Sequence, residues 1–165
     1  MTTVDDLDDA AVLAALQELT TEIRATLPAD QQEAVSSQEE AQLALAALVD
    51  QEHASELAER LQDNPDQALA GARELLDAAA QDPDTAGSAA RLVEDPPTND
   101  QLFVLGGLET VILLGALVTV LQSKGKVHVE RKDGKVNFSI DVSKKAASNA
   151  LIEKIVDIAN GLFGH

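Results

Sequence analysis

The side chains most able to do chemistry in this sequence are three histidines and a few neighbouring carboxylates. His53, His128 and His165 stand far apart, and none has a second ligand at metal-binding spacing on an evident shared face. Neighbouring carboxylates can act as general acid and base when their surroundings shift their pKa values apart. On helix-forming stretches rich in charge, however, a solvated helix face is the simpler interpretation. That interpretation applies to each candidate pair, so we expect no catalytic residue and no metal site: Glu39–Glu40, Glu52–Glu56 and Asp63–Asp66.

Motifs for cofactor binding and nucleophilic catalysis are also missing from the sequence. The glycine pair within residues 104–107 lacks the lysine and the preceding strand that a phosphate-binding loop requires. No Gly-x-Ser-x-Gly turn is present, and a chain without cysteine has no disulfide and no thiolate metal ligand. The sequence therefore predicts a protein with no cofactor and no enzymatic activity.

Charge divides the chain into two parts. Residues 1–100 contain 23 acidic residues, four arginines and no lysine, whereas residues 101–165 contain seven lysines, one arginine and six acidic residues. The acidic part would repel phosphates, so nucleic acid is not an expected partner. The change in composition predicts an acidic helical domain over residues 1–95, a linker over 96–101 and a second unit over 102–165.

Apolar residues recur three and four positions apart in four stretches of the acidic part, as on one face of a helix. Four aspartates within residues 5–9 crowd the start of the first helix, where its dipole favours negative charge. Alanine buries little apolar area and these stretches have no aromatic residue, so we expect a marginal bundle or helices that need a partner. The predicted stripes are Val12, Leu16, Leu19 and Ile23; Ala41, Leu45, Leu48 and Val49; Leu57 and Leu61; and Leu69, Ala72, Leu75, Leu76 and Ala79.

The most apolar stretch of the chain extends from Leu102 to Leu121 and contains one charged residue, Glu109. Such a stretch, if helical, is long enough to cross a bilayer, and also long enough to form the central helix of a globular core. A helix that is apolar around its whole circumference must be surrounded by lipid or by protein. The residues that would make these contacts are Leu102, Phe103, Leu105, Leu108, Glu109, Val111, Ile112, Leu114, Leu117, Val118 and Leu121.

A free-energy balance for insertion favours the membrane. The strongly apolar residues contribute about −4 to −8 kcal/mol, against roughly +2 to +3.5 kcal/mol for Glu109. The positive-inside rule would place the end of the stretch in the cytoplasm, so the acidic part would have to cross the membrane. The first residues of the chain lack the features of a secretory signal. We therefore expect a cytoplasmic protein with conditional membrane association; the basic flank is Lys124, Lys126, Arg131 and Lys132.

Glycines and the single acid within the apolar stretch each allow two interpretations. Gly107, Val111 and Gly115 share one helix face and Gly106 adjoins it, which would permit close helix packing and self-association, although glycine is also common in such helices. Glu109 would seek a partner or line a water-filled path in a membrane. In a globular fold Glu109 would instead face solvent or pair with a lysine of the following hairpin.

A β-hairpin over residues 126–142 is the clearest local structure of the second unit. Two segments alternate apolar and polar side chains, and Asp133-Gly134 between them suits a two-residue type I′ turn. A helical stripe follows, formed by Ala147, Leu151, Ile155, Ile158 and Leu162. Because an isolated hairpin is only marginally stable in water, we expect this last helix to cover the hairpin as a ββα unit. The fold class predicted is mostly α with a small hairpin.

The order of an apolar helix and a basic strand pair (102–121, then 126–142) resembles small accessory proteins of actinobacterial conflict, or defence, systems. In these systems the protein is encoded beside an NTPase or protease effector. The Asn-Pro-Asp and Asp-Pro-Asp sequences at 64–66 and 82–84 are similar to helical segments of the same class. The resemblance implies an adaptor or effector component and assigns no active-site residue.

Two functions remain open at the level of sequence. In the first, a non-enzymatic interaction or assembly protein docks a protein partner or itself through its acidic helices, and regulated exposure of Leu102–Leu121 makes it membrane-active. In the second, the protein is a wholly soluble adaptor or oligomeric scaffold subunit, and Leu102–Leu121 is its core helix.

Overall fold

The computed structural model of the chain describes residues 3–32, 38–61, 65–96, 108–123, 127–133, 135–140 and 150–163. Within these ranges the protein is mostly helical, as the sequence predicts. Two short 3₁₀ turns, Val4–Asp6 and Gln51–His53, accompany the longer elements. These elements are α1 (Asp9–Arg24), α2 (Ala29–Gln32), α3 (Gln38–Val49), α4 (Ala54–Glu59), α5 (Pro65–Gln81), α6 (Ala86–Glu94), α7 (Leu108–Ser123), β1 (Val127–Lys132), β2 (Lys135–Ile140) and α8 (Ala150–Leu162).

Polar residues and proline fix the ends of several helices. The Asp8 carboxylate caps α1 by accepting a hydrogen bond from the Ala11 N–H at 2.8 Å. Helix α5 begins at Pro65, because a proline in the first turn loses no intrahelical hydrogen bond. Between α5 and α6, the Thr85 hydroxyl donates to the Ala79 carbonyl at 2.6 Å. Asp8 and Pro65 therefore mark where α1 and α5 begin, and Thr85 links the end of α5 to the start of α6.

Helix α7 is the centre of the packing and contacts α1, α3 and α5. The side chains of Leu113, Leu114, Leu117 and Leu121 are completely buried. Since α7 is apolar on nearly every side, its enclosure by three helices removes most of that surface from water. Buried side chains from Val4 to Phe163 form one hydrophobic cluster, so the apolar helix shares its core with the acidic helices.

The bounds of α7 differ from those of the predicted apolar helix. The structure has a 16-residue helix from Leu108 to Ser123, whereas the prediction is a helix over 102–121. Residues 102–107 lie outside the described residues, so the longer apolar helix is not supported.

The apolar stripes predicted for α1, α3 and α5 belong to the helices that contact α7. Val12, Leu16, Leu19 and Ile23 of α1 are all buried. In α3 and α5 much of the buried surface comes from alanine, including Ala41, Ala44, Ala68, Ala72 and Ala79. Small side chains let helices approach closely but add little buried area each. The leucines of α7 supply the apolar area that these helices lack.

The two strands pair antiparallel, with Val127 opposite Ile140 and Val129 opposite Phe138. This register pairs an apolar residue with an apolar residue at both positions. Asp133 has φ of 56°, the left-handed conformation that the first position of a type I′ turn requires.

The cover of the strands differs from the predicted ββα unit. β1 packs against α7 and β2 against α3, whereas α8 packs chiefly against α5 and α3. The apolar stripe of α8 therefore packs into the helical core. The strands pack against α7 and α3 instead.

Gly71 of α5 marks a close approach between helices. A β-carbon at this position would lie 2.8 Å from Cδ2 of Leu113 and 3.1 Å from Cγ2 of Ile158. Helices α7 and α8 therefore meet α5 where a hydrogen atom is the largest group that fits without displacement.

Gly71→Ala and Gly87→Ala make the same chemical change in two different surroundings. A β-carbon at Gly87 in α6 would meet nothing within 4 Å, so Gly87→Ala should raise the free energy of unfolding by about 0.5–1 kcal/mol. Gly71→Ala brings the same gain from replacing a helical glycine, but the added β-carbon overpacks the contact. This variant should therefore be about 1–2 kcal/mol less stable than Gly87→Ala. Urea unfolding of both variants measures the difference, and equal stabilities would contradict the close approach.

Candidate functional site

The predicted carboxylate pairs lie on the outside of the helices. Glu39, Glu52, Glu56 and Asp66 are exposed and Glu40 is half-buried, while Asp63 lies outside the described residues. Among the residues that the structure describes, no group of three or more His, Asp or Glu side chains could hold a metal ion. These pairs are therefore surface charge in the described structure.

The histidines occupy unrelated surroundings. His128 is exposed on β1, with Nε2 3.8 Å from Oε1 of Glu130, and His165 lies outside the described residues. His53, between α3 and α4, has Nδ1 3.0 Å from Oδ2 of Asp50. The hydrogen bond to Asp50 raises the pKa of His53, and the same bond lowers the pKa of Asp50. Sequence spacing did not single out this pair.

The predicted membrane or core residues divide into three groups. Leu114, Leu117, Val118 and Leu121 are buried in the core. Val111 is 37% exposed and Ile112 is half-buried, so α7 has a narrow open edge. The remaining predicted residues are Leu102, Phe103 and Leu105, outside the described residues, and Leu108, which begins α7.

Within the described ranges, none of the helices combines the length and the apolar character that crossing a bilayer requires. The predicted basic flank does not test membrane association. Lys124 and Lys126 lie outside the described residues, and Arg131 and Lys132 are part of β1.

The glycine that permits close packing is not among those predicted. Gly106 and Gly107 lie outside the described residues, and a β-carbon at Gly115 would meet nothing within 4 Å. Gly115 instead lies near Val111 on the open edge of α7, where it leaves room rather than filling a contact. The close contact occurs at Gly71, inside a polar and alanine-rich stretch whose composition gave no signal.

Glu109 lies at the second position of α7 and is half-buried. Its Oε2 is shielded from solvent and has no hydrogen-bond partner among the described residues. Leaving such an acceptor unsatisfied costs about 1–3 kcal/mol. The first turn of a helix partly offsets this cost, because the dipole favours a negative charge there.

Polar contacts hold α7 in register with the acidic part. The Arg24 guanidinium donates from Nη2 to Oγ1 of buried Thr119 at 3.3 Å. Nε2 of Gln122 donates to the Gln31 carbonyl at 3.1 Å. An apolar helix can slide along an apolar groove, whereas these hydrogen bonds form at one position of the helix.

Carboxylates dominate the exposed surface of the acidic part. Arg73 pairs with Asp9 at 2.9 Å and Arg91 pairs with Glu22, but the acidic part has few cations to offset its charge. A surface of one sign attracts groups of the opposite sign over roughly a Debye length, about 10 Å at 0.1 M salt. The exposed carboxylates include Asp5, Asp6, Asp8, Glu18, Asp30, Glu39, Glu52, Glu56, Glu59, Glu74, Asp77 and Asp95.

Concave sites open between the helices that the structure describes, and two of them bear on binding. One, with a volume of about 390 Å³, lies between the end of α5 and the start of α8 and is lined by Asp77, Gln81, Asp82 and Lys154. The other, of about 210 Å³, is here named the α1–α6 cavity. Its lining residues are Leu19, Glu22, Ile23 and Thr26 of α1 and the turn after it, Asp84, Thr85 and Ser88 at the start of α6, and Ser123 at the end of α7.

The α1–α6 cavity is lined by both apolar and oxygen-bearing side chains. Oε1 of Glu22 pairs with Arg91, whereas Oε2 is shielded from solvent and has no hydrogen-bond partner among the described residues. The Thr26, Thr85 and Ser123 hydroxyls donate to main-chain carbonyls at 2.6, 2.6 and 2.7 Å. Each of these oxygens therefore has its hydrogen committed and keeps acceptor capacity.

Comparison with known proteins gave no match to a family model, to a curated protein or to a solved structure.

Glu109→Leu should keep or raise the free energy of unfolding, by up to about 1 kcal/mol, because it removes a shielded carboxylate oxygen. Glu153→Leu is the matched control: Glu153 lies exposed in the first turn of α8, and its change should remain within about 0.5 kcal/mol. Urea unfolding reports both values. A loss of more than about 1 kcal/mol for Glu109→Leu would show that Glu109 is paired.

The His53–Asp50 pair should give a measurable pH signature. The His53 contribution to stability is complete below the ordinary pKa of 6.5 and is lost as pH rises through the raised value. The Asp50 contribution is complete above 3.8 and is lost as pH falls through the lowered value. An NMR titration should place the His53 midpoint above 6.5, and Asp50→Asn should move it down. Glu39→Gln, an equal change of charge elsewhere on α3, should move it less.

Proposed function

We propose that this protein is a non-enzymatic interaction or assembly protein whose acidic helical surface docks a basic protein partner. The observation that carries the proposal is the enclosure of α7 by helices whose outer faces are covered with carboxylates. In this arrangement the apolar helix is a structural core and the charged surface makes the contact. An adaptor role beside an effector, as the resemblance to conflict-system proteins implies, belongs to the same proposal.

Charge complementarity supports a basic partner. Residues 1–100 contain 23 acidic residues and four arginines, and two of these arginines already pair with Asp9 and Glu22. Such a surface speeds association with cationic segments and repels nucleic acid. Self-association is the second form of the proposal, since the hairpin region of another copy carries Arg131, Lys132 and Lys135.

The membrane-active form of the function would require α7 to leave its contacts with α1, α3 and α5. Those contacts bury the leucines of α7, and the hydrogen bonds of Thr119 with Arg24 of α1 and of Gln122 with Gln31 of α2 would also be lost. Exposing that surface to reach a bilayer would forfeit about 25 cal/mol for each Å² of apolar area uncovered before any lipid contact forms. The core role of α7 is therefore the form that the packing favours.

Binding of a lysine-bearing Gly/Ser peptide by the full chain tests the proposal. Calorimetry at about 0.05 M salt should detect binding, and about 0.5 M salt should weaken it strongly because the charges are screened. The same peptide with glutamate in place of lysine, and duplex DNA, should not bind. No binding of the lysine peptide at low salt, or equal binding of DNA, would overturn the proposal.

Two further measurements with the full chain separate the forms of the proposal. Light scattering without detergent should give one defined species, with a monomer supporting a separate partner and a salt-sensitive oligomer supporting self-association. Flotation with anionic and neutral liposomes should leave the protein at the bottom of the gradient. Co-flotation would overturn the core role of α7 and support the membrane-active form.

A further inference from the structure

We infer that β1 is the contact edge of a homodimer, in which the β1 strands of two copies pair antiparallel about a two-fold axis at Val129. The two strand pairs then join into one continuous sheet, as in other cases of strand addition. This contact goes beyond the proposed function, because the acidic helices stay outside it and keep their surface for a basic partner.

Both strands have an edge that carries no further strand. The sheet of the described structure consists of β1 and β2 alone. The main-chain hydrogen bonds that link different elements of the described structure include none to either strand. Such an edge offers a row of N–H and C=O groups that can pair with another strand. β1 has no proline, and its register with β2 continues without a bulge, so two common obstacles to edge pairing are missing from it.

The turn determines which residues of β1 point their main-chain groups outward. Lys132 pairs with Lys135 across a two-residue turn, so these two residues exchange main-chain hydrogen bonds. Hydrogen-bonded and non-hydrogen-bonded pairs alternate along an antiparallel ladder. The N–H and C=O groups of Val127, Val129 and Arg131 therefore point away from β2.

This alternation restricts how two β1 strands can pair, since outward groups must meet outward groups. When Val129 faces Val129 of the second copy, all the outward residues of both strands form pairs. The same register places His128 opposite Glu130 of the second copy. The next allowed register in one direction places His128 opposite His128, and the next in the other direction places Glu130 opposite Glu130.

His128 and Glu130 supply the side-chain complementarity of the contact. Both are exposed on one side of β1, with Nε2 of His128 3.8 Å from Oε1 of Glu130. Across an antiparallel ladder, residues that share no main-chain hydrogen bond lie closest, with about 4.5 Å between their Cα atoms. An imidazole N–H donates a hydrogen bond to a carboxylate, whereas two facing carboxylates repel. The register with the most main-chain pairs is therefore also the one with favourable side-chain pairs.

The distribution of charge favours this place of contact between two copies. The chain has a formal net charge of −17, so two copies repel each other wherever their acidic helices face. Residues 127–140 contain three basic and two acidic residues. Two copies can therefore approach through these strands without the repulsion that opposes contact through the acidic helices.

Sedimentation velocity of the full chain tests the inference. The contact area is small, so we expect a dimer with a Kd between about 10 μM and 1 mM. Most of the dimer should persist at about 0.5 M salt, because salt screens main-chain hydrogen bonds little. A monomer throughout this range of concentration would overturn the inference. A dimer that dissociates at the higher salt would be an association of acidic helices with basic residues, and it would also overturn the inference.

Val129→Pro and Val136→Pro make the same change on the two edges of the sheet. Val136 lies opposite Arg131, so its main-chain groups also point outward. Neither proline removes a hydrogen bond between β1 and β2, because each lost N–H points away from the other strand. Val129→Pro should raise the Kd of the dimer at least about tenfold more than Val136→Pro does. Equal effects, or a larger effect of Val136→Pro, would overturn the inference.

A charge exchange tests the register and carries the test if circular dichroism shows that Val129→Pro is unfolded. Glu130→Lys should raise the Kd about tenfold, because the two-fold axis removes the carboxylate from two pairs. General repulsion predicts the opposite, since this variant is less negative. His128→Glu combined with Glu130→Lys restores opposite partners and should return the Kd to within about threefold of the original value. Tighter association of Glu130→Lys, or no recovery in the double variant, would overturn the inference.

The outcome is separate from that of the proposed function. A monomeric chain that binds the lysine-bearing Gly/Ser peptide would contradict the β1 contact and leave the proposed function standing. A salt-resistant dimer that does not bind this peptide would support the β1 contact and contradict the proposed function.

Discussion

The burial of α7 is the constraint on which the rest of the structure depends. Its leucines are apolar in almost every direction around the helix, so one neighbouring helix could not cover them. Helices α1, α3 and α5 enclose α7 from different sides. The strands take part in the same cover, with Val127 of β1 buried. The positions of α1, α3, α5 and β1 can be understood as a response to this one apolar surface.

The packing around α7 also stabilises the acidic helices. The buried faces of α3 and α5 contain many alanines, which pack closely but contribute little apolar area, and the outer faces of the acidic helices repel one another through carboxylates. The leucines of α7 supply the missing area. Gly71 shows how close the approach becomes, since Leu113 and Ile158 fill the space that a side chain would need.

Polar interactions give the apolar packing its register and leave specific groups at the surface. The Arg24–Thr119 and Gln122–Gln31 hydrogen bonds fix α7 along its axis. Fixing α7 also places Ser123 beside Glu22 and Thr85 at the α1–α6 cavity. The composition of that cavity is therefore a consequence of the core.

The sequence by itself determined the helical class, the apolar stripes of α1 and α8 and the acidic character of the surface. These properties follow from local spacing and composition. Hydropathy could not determine whether lipid or protein surrounds α7, because both are apolar. The tertiary structure decided the cover of α7, the placement of the strands on α7 and α3, the close contact at Gly71 and the meeting of Glu22, Thr85 and Ser123. Each of these depends on residues distant in the chain, and no local pattern encodes which surfaces meet.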